Sequence, residues 1–343
     1  MKAALFYGPQ DIRIGDVPEP KILAPTDAVI RITYTCICGS DLWYYRDLTP
    51  MPAHSRIGHE PLGIVEEVGA DVKEIKKGDI VVAPFAWCDG TCPACTYGVT
   101  SACWNGGVWG SKDTDGAQGE MTRVPFADAN LFVIPKDTDE KLMPALLALS
   151  DVLCTGYHAA VSAGVTKGAT VAVIGDGAVG LCAVLSCSYL GADRIILFSR
   201  NEERSRVGKK FGATDIVQER GEEGIQKVKE LTKNVGVMYV LECVGTKSSW
   251  EQAFGIVRAG GKIGYVGVPH GVDLDITKMF RQNIGVIGGV APTAVYIPQL
   301  MPDVLSGKLD PSPVFDLTLP LSEIAKGYAA MDKREAIKVL IRP

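Results

Sequence analysis

The sequence predicts an α/β protein in which a doubly wound parallel sheet is joined to a β-rich domain. Three observations carry this expectation. From Thr170 onward, apolar strands alternate strictly with amphipathic helices. Residues 1–150 read instead as short strands and turns with frequent Gly and Pro. A G-x-G-x-x-G run falls between the first strand and first helix of the alternating part. The length of 343 residues agrees, since it accommodates about two domains of ~150 residues.

In the first part, "DAVIRITYTCI" and "LGIVEEVG" alternate as strands, and "KKGDIVVAPFA" holds a turn and then a strand. Residues 98–130, rich in Gly, Asp and Trp, read as a long ordered loop plus one strand. Near residue 142 the pattern becomes helical in "KLMPALLALSDVLCTGYHAAVSAG", with Gly164 as the stop. "TVAVIG" is then a buried strand and "AVGLCAVLSCSYLGA" a helix ending at Gly191. "RIILFS", "NEERSRVGKKFGA", "TDIV", "EEGIQKVKELT", "VMYVLECVG", "KSSWEQAFGIVRAG" and "GKIGYVGV" continue the alternation, and "IGVIGG" supplies a last strand. Such a pattern implies a parallel sheet covered by helices on both faces. The tail carries a helix, "SEIAKGYAAMD", and an edge strand, "AIKVLIR". The expected domains are 1–150 with 290–343, and 151–289.

Composition narrows the function class. Apolar residues at 47% and charged residues at 22% suit a globular chain with a large core. The net charge of −5 is spread without the basic block that a nucleic-acid face needs. No apolar run reaches the ~18 residues of a membrane span, and the first residues lack a secretory signal. A cytoplasmic chain with no membrane partner is expected. There, thiols stay reduced, so clustered cysteines point to metal rather than to disulfides.

The stretch "CDGTCPACTYGVTSAC" supplies that cluster: Cys88, Cys92, Cys95 and Cys103, spaced C-x3-C-x2-C-x7-C. Short turns at Asp89-Gly90 and Pro93 let four sulfurs converge tetrahedrally on one zinc. Four thiolates leave no vacancy, so this zinc is expected to be a structural brace.

The dinucleotide motif is "VAVIGDGAVG", with Gly175, Gly177 and Gly180. Its first glycine permits a tight turn, the second lets backbone approach a pyrophosphate, and the third lets helix and strand pack closely. The helix N-terminus adds free N–H groups for phosphate. An NAD site carries Asp or Glu at the end of the second strand, to accept from the ribose 2′-hydroxyl. Ser199 and Arg200 occupy that corner here, which predicts a 2′-phosphate and hence NADP(H).

Cys38, His59, Glu60 and Asp151 are soft and borderline metal donors scattered over more than a hundred residues, and their spacing alone does not select them. Taken with "CGSD", "GHEPLGIVEEVG", "GDIVV", the cysteine lobe, "TGYHA", "VAVIGDGAVG" and "YVGVP", in that order, the chain resembles the zinc-dependent medium-chain alcohol dehydrogenases over nearly its whole length. The resemblance implies a GroES-like β domain interrupted by a Rossmann domain. It implies two zincs per chain, one catalytic and one structural. Cys38, His59 and Asp151 become catalytic-zinc ligands, with Glu60 a carboxylate that can also approach the metal. Ser40 becomes the hydroxyl that passes the alcohol proton, and Asp41 the carboxylate that orients the zinc-bound His59. Thr155, Val179, Val266 and Val268 fall at cofactor positions, and Lys338 where some relatives have a pyrophosphate-binding Arg. A homo-oligomer is implied, with a tetramer favoured over a dimer.

Two departures stand out. Trp43 stands where the family often has the outer His of the proton relay, with His54 a candidate substitute. The lobe also has one extra residue between its first two cysteines. The expected function is NADP(H)-linked interconversion of an alcohol, secondary or bulky and apolar, and its aldehyde or ketone. Aromatic Trp43, Phe85 and Trp109 are candidates either for the substrate pocket or for the domain core. The alternatives are a polyol or threonine-type dehydrogenase, and a non-catalytic NADPH-binding protein that has kept the fold.

Overall fold

The computed structural model describes residues 1–110 and 115–343. Four positions of the loop expected over 98–130 therefore lie outside the described residues. The chain separates into two compact units, Met1–Asp151 with Pro292–Pro343, and Val152–Ala291.

The first unit is β-rich. Its main sheet runs, in spatial order, Phe132–Ile134, Ile80–Val82, Leu62–Val68, Ala28–Cys36, Lys338–Arg342 and Phe315–Pro320, with Met121–Val124 also pairing Ala28–Cys36. A smaller sheet joins Asp11–Asp16, Lys2–Gly8 and Ser55–Arg56. Ala28–Cys36 is central and accordingly almost wholly buried. Lys338–Arg342 is an interior strand rather than the edge expected. It pairs antiparallel with Ala28–Cys36 on one side and parallel with Phe315–Pro320 on the other. The buried run Lys338–Ile341 is the signature of a strand covered on both faces. This pairing is what returns the C-terminal segment to the first unit.

The helical stretch near residue 142 is broken. Met143–Leu147 is α-helical, Ala148–Ser150 tightens to a 3₁₀ turn, and a second helix starts at Val152. Asp151 between them is non-helical, with φ −149° and ψ −78°. The break separates one carboxylate from an otherwise apolar helical pattern, and the site below uses it. Among the described residues no single helix is long and apolar enough to cross a membrane.

The second unit is a six-stranded, wholly parallel sheet. Its strands in spatial order are Asp215–Val217, Arg194–Phe198, Thr170–Ile174, Val237–Glu242, Val257–Tyr265 and Gly285–Gly288, or 3-2-1-4-5-6 in chain order. That is the Rossmann order, whose ligand crevice opens at the carboxyl ends of the strands where the order reverses. Phe198, Val240, Trp250 and Ile263 lie in its apolar core. The helix expected over 247–260 ends at Ile256, because Val257 already pairs with Val237. Gly164 and Gly191 terminate their helices with φ +84° and +82°.

Candidate active site

Within the first unit, the loop after Ala28–Cys36, the segment before Leu62–Val68 and the break at Asp151 bring four side chains together. One donor atom from each of Cys38, His59, Glu60 and Asp151 lies within 4.8 Å of the others, and all four residues are buried. Cys38 Sγ is 3.3 Å from Asp151 Oδ2, and His59 Nε2 is 3.5 Å from the same oxygen. His59 Nε2 lies 3.9 Å from Glu60 Oε1. Two carboxylates, a thiol and an imidazole buried together call for a cation. Burial alone would push the His59 pKa down, yet Asp41, Cys38 and Asp151 raise it well above the ordinary value. Burial, and then the Asp151 charge, push the Cys38 thiol up. A metal ion relieves both, and the donor set fits zinc.

The surroundings fix these donors. Asp41 Oδ1 is 3.5 Å from His59 Nδ1, and Asp41 Oδ2 accepts from the Cys38 N–H at 3.0 Å. Gln118 Nε2 donates to the same Asp41 oxygen at 3.0 Å, and Gln118 Oε1 accepts from the Tyr328 hydroxyl at 2.8 Å. Glu60 is held by Lys338 Nζ at 2.6 Å, with the Ser150 hydroxyl, which donates to the Leu147 carbonyl at 2.7 Å, a further 3.3 Å contact. Ser40 is partly exposed at the start of the short helix Asp41–Tyr45, and its hydroxyl bonds to no described residue. Gln118 and Tyr328 had no local sequence signal, because they reach the site only through the folded sheet.

Three expected assignments fall elsewhere. Lys338 does not present its amine to a phosphate. It is 1% exposed, donating to Glu60 and to the Ile37 carbonyl. Burial would lower its pKa, but Cys36, Glu60, Cys38 and Asp151 hold it well above the usual range. Ser199 is also fully buried, and its hydroxyl donates to Asp176 Oδ2 at 2.9 Å instead of facing outward. In the cysteine lobe, the set of donors within 4.8 Å of one another is Asp89, Cys92, Cys95 and Cys103, and Cys88 is outside it. Trp109 packs with Trp87 in the β core and donates its indole N–H to the Pro84 carbonyl. Phe85, by contrast, meets His59 edge-on at 6.3 Å. His54 is exposed and stacks edge-on against Tyr7.

In the second unit the three glycines have separable reasons. Gly175 has φ +117°, which only glycine adopts freely. A Cβ on Gly180 would lie 2.0 Å from the Gly175 carbonyl, so helix and strand could not pack. A Cβ on Gly177 would meet nothing within 4 Å. Nothing in the protein requires that glycine, and the open space at the N-cap of Ala178–Tyr189 fits a pyrophosphate approaching the backbone. Arg200 is exposed at the next strand end, its Nε donating to the Gln218 carbonyl. Asp176, in the glycine-rich turn itself, is buried between Ser199 and Arg204, with Arg204 Nη1 donating to its carbonyl at 3.1 Å. Thr155 is buried, and Val179, Val266 and Val268 are partly or well exposed.

Comparison with known proteins agrees with this fold. Residues 24–136 match the family described as Alcohol dehydrogenase GroES-like domain, and residues 178–306 match Zinc-binding dehydrogenase. The chain is 35% identical to the uncharacterized zinc-type alcohol dehydrogenase-like protein AdhB of Bacillus subtilis (strain 168), over all of both chains. It is similar to the solved alcohol dehydrogenase TADH from Thermus sp. ATN1, with 33% identity and a TM-score of 0.92 over 100% of this chain and 99% of that one. A zinc-binding dehydrogenase from Sinorhizobium meliloti 1021, solved with NADP bound, is 25% identical with a TM-score of 0.84, covering 100% of this chain and 99% of that one.

Proposed function

Given that the chain belongs to the zinc-dependent medium-chain dehydrogenase/reductase family, we propose that it is an NADP(H)-linked oxidoreductase. It interconverts an alcohol, secondary or bulky and apolar, and its aldehyde or ketone. The observation that carries this reading is the buried convergence of Cys38, His59, Glu60 and Asp151. Zinc bound there supplies a Lewis acid for the alcohol or carbonyl oxygen. Cys38, His59 and Asp151 hold it, which leaves a fourth position for substrate. Asp41 fixes the His59 ring, and Gln118 with Tyr328 fixes Asp41. Lys338 and Ser150 restrain Glu60 at the edge of the set. The partly exposed Ser40 hydroxyl accepts the proton of the alcohol while passing its own outward to solvent. Phe85 against His59 supports an apolar substrate. A nicotinamide cofactor, if bound at the glycine-rich turn, would supply the hydride acceptor.

The NADP(H) preference rests on Arg200, exposed at the ribose corner where no outward carboxylate stands. A second zinc braces the lobe around Cys92, Cys95 and Cys103. Cysteines gathered at zinc-site spacing rather than at disulfide distance, as Cys92, Cys95 and Cys103 are, support a reducing, cytoplasmic setting. A homo-oligomer, a tetramer in this reading, is supported by the edge strand Gly285–Gly288, open on its outer side with Ile287 exposed. A panel of alcohols and carbonyls assayed with NADP(H) and NAD(H) tests the proposal. Turnover with NADP(H) and loss of activity on mild chelation are expected. No turnover on any substrate, with intact cofactor binding, would favour a non-catalytic protein instead.

A further inference from the structure

We propose that the metal of the cysteine lobe is closed by Asp89 together with Cys92, Cys95 and Cys103, and that Cys88 is not a ligand. This rests on the reading that the lobe holds zinc. The three sulfurs are already at metal-site spacing. Cys92 Sγ lies 3.6 Å from Cys95 Sγ and 3.7 Å from Cys103 Sγ. Zinc–sulfur bonds of ~2.3 Å place sulfurs about 3.8 Å apart at the vertices of a tetrahedron. A disulfide would need ~2.05 Å. One vertex remains, and an Asp89 carboxylate oxygen is the fourth donor atom within 4.8 Å of all the others.

The backbone holds that carboxylate ready. Asp89 Oδ1 accepts from the N–H groups of Thr91 at 2.8 Å and Cys92 at 2.9 Å, and Oδ2 accepts from Asn105 Nδ2 at 2.6 Å. Such outer contacts orient a metal-binding carboxylate and leave its remaining lone pairs free. The residue serves the site twice, since its own N–H donates to Cys103 Sγ at 3.2 Å. Cys88 is clamped through its backbone instead. Its N–H donates to Asn130 Oδ1 at 2.9 Å and its carbonyl accepts from Asn130 Nδ2 at 2.7 Å. The Cys88 thiol approaches Cys95, which makes it the rival for the vertex, but it stays outside the converged set. The spacing agrees: counted back from Cys92, Asp89 continues the x2 step between Cys92 and Cys95. The apparent extra residue in the lobe then disappears, because the first ligand is an aspartate one position after a buried cysteine.

The test measures zinc per chain and thermal melting in the full-length protein as wild type, Cys88→Ser, Asp89→Ala and Asp89→Cys. Cobalt(II) spectra are taken alongside, in a Cys38→Ser background that removes the thiolate of the other site. Cys88→Ser should keep the lobe zinc and melt like wild type, while Asp89→Ala should lose that zinc and melt lower. Asp89→Cys, which puts a thiolate where the carboxylate stood, should keep the zinc and raise the thiolate-to-cobalt band by about one third, as three thiolates become four. Loss of lobe zinc in Cys88→Ser, or an unchanged cobalt band in Asp89→Cys, overturns the assignment while leaving a zinc lobe standing. Wild-type protein with no zinc in the lobe overturns both.

Discussion

Removing the Lys338 amine tests the site's wiring most sharply. Lys338 and Glu60 form an ion pair at 2.6 Å with side chains 1% and 0% exposed. A substitution such as Lys338→Met keeps the apolar stem and deletes only the charge. Glu60 then stays buried with the Ser150 hydroxyl at 3.3 Å, shared with the Leu147 carbonyl, and the His59 ring at 3.9 Å beside it. Breaking one side of a buried pair costs about 3–5 kcal/mol, because the other charge is left uncompensated. At ~2–4 °C per kcal/mol for domains of 150–250 residues, the first unit should melt roughly 6–20 °C lower. Glu60→Gln alone should also destabilise, since it strands the amine. The double variant Lys338→Met/Glu60→Gln should lose less than the sum of the two, by about 2 kcal/mol or more, within the range measured for coupled pairs. Because Glu60 borders the Cys38/His59/Asp151 set, the Lys338→Met defect should deepen after chelation, when a nearby cation is also gone. Differential scanning calorimetry and urea titration, with and without chelator, read all of this. Additive losses, or a Lys338→Met variant as stable as wild type, would refute the argument that the Lys338 amine is the partner of Glu60.

Other outcomes follow from the same geometry. Cys38→Ser and Asp151→Ala should each remove nearly all turnover yet leave NADPH binding, followed by cofactor fluorescence, within about threefold, a change of under 1 kcal/mol. Gly177→Ala should weaken cofactor binding with little change in melting temperature, because its Cβ meets no protein atom; Gly180→Ala should destabilise the fold itself, because its Cβ collides with the Gly175 carbonyl. Arg200→Ala should cut kcat/KM for NADP(H) about tenfold or more and spare NAD(H), since one charge-assisted contact is worth ~1.5–3 kcal/mol; equal losses with both cofactors would remove Arg200 from the ribose corner.

The parallel sheet was legible in the sequence because its inner strands are buried on both faces and read as short apolar runs, as in Thr170–Ile174 and Arg194–Phe198. Gly175 and Gly180 were legible because their constraints are local, a positive φ and a close approach five residues apart. The position of Lys338–Arg342 was not, since whether a strand is interior depends on which strands flank it, and its partners lie hundreds of residues away or follow another loop. The outward-facing reading of Ser199 failed for a related reason. A hydroxyl at the end of a strand turns toward its strongest acceptor, and Asp176 inside the glycine-rich turn supplies one.

The break at Asp151 shows how such local frustration and function meet. Apolar residues from Met143 to Leu153 favour one continuous helix, yet an ionisable side chain buried in it would lack partners. The chain resolves the conflict by leaving helical geometry at Asp151 and spending the turn before it on contacts, with the Ser150 hydroxyl on Glu60 and the Ser150 carbonyl accepting from the Phe85 N–H. The carboxylate is thereby delivered to Cys38 and His59, where a bound cation balances its charge. Asp151→Leu, which removes both the charge and the reason for the break, should raise the metal-free melting temperature while abolishing metal uptake at this set. A metal-free Asp151→Leu protein no more stable than metal-free wild type would show that the break is imposed by the fold and not by the carboxylate.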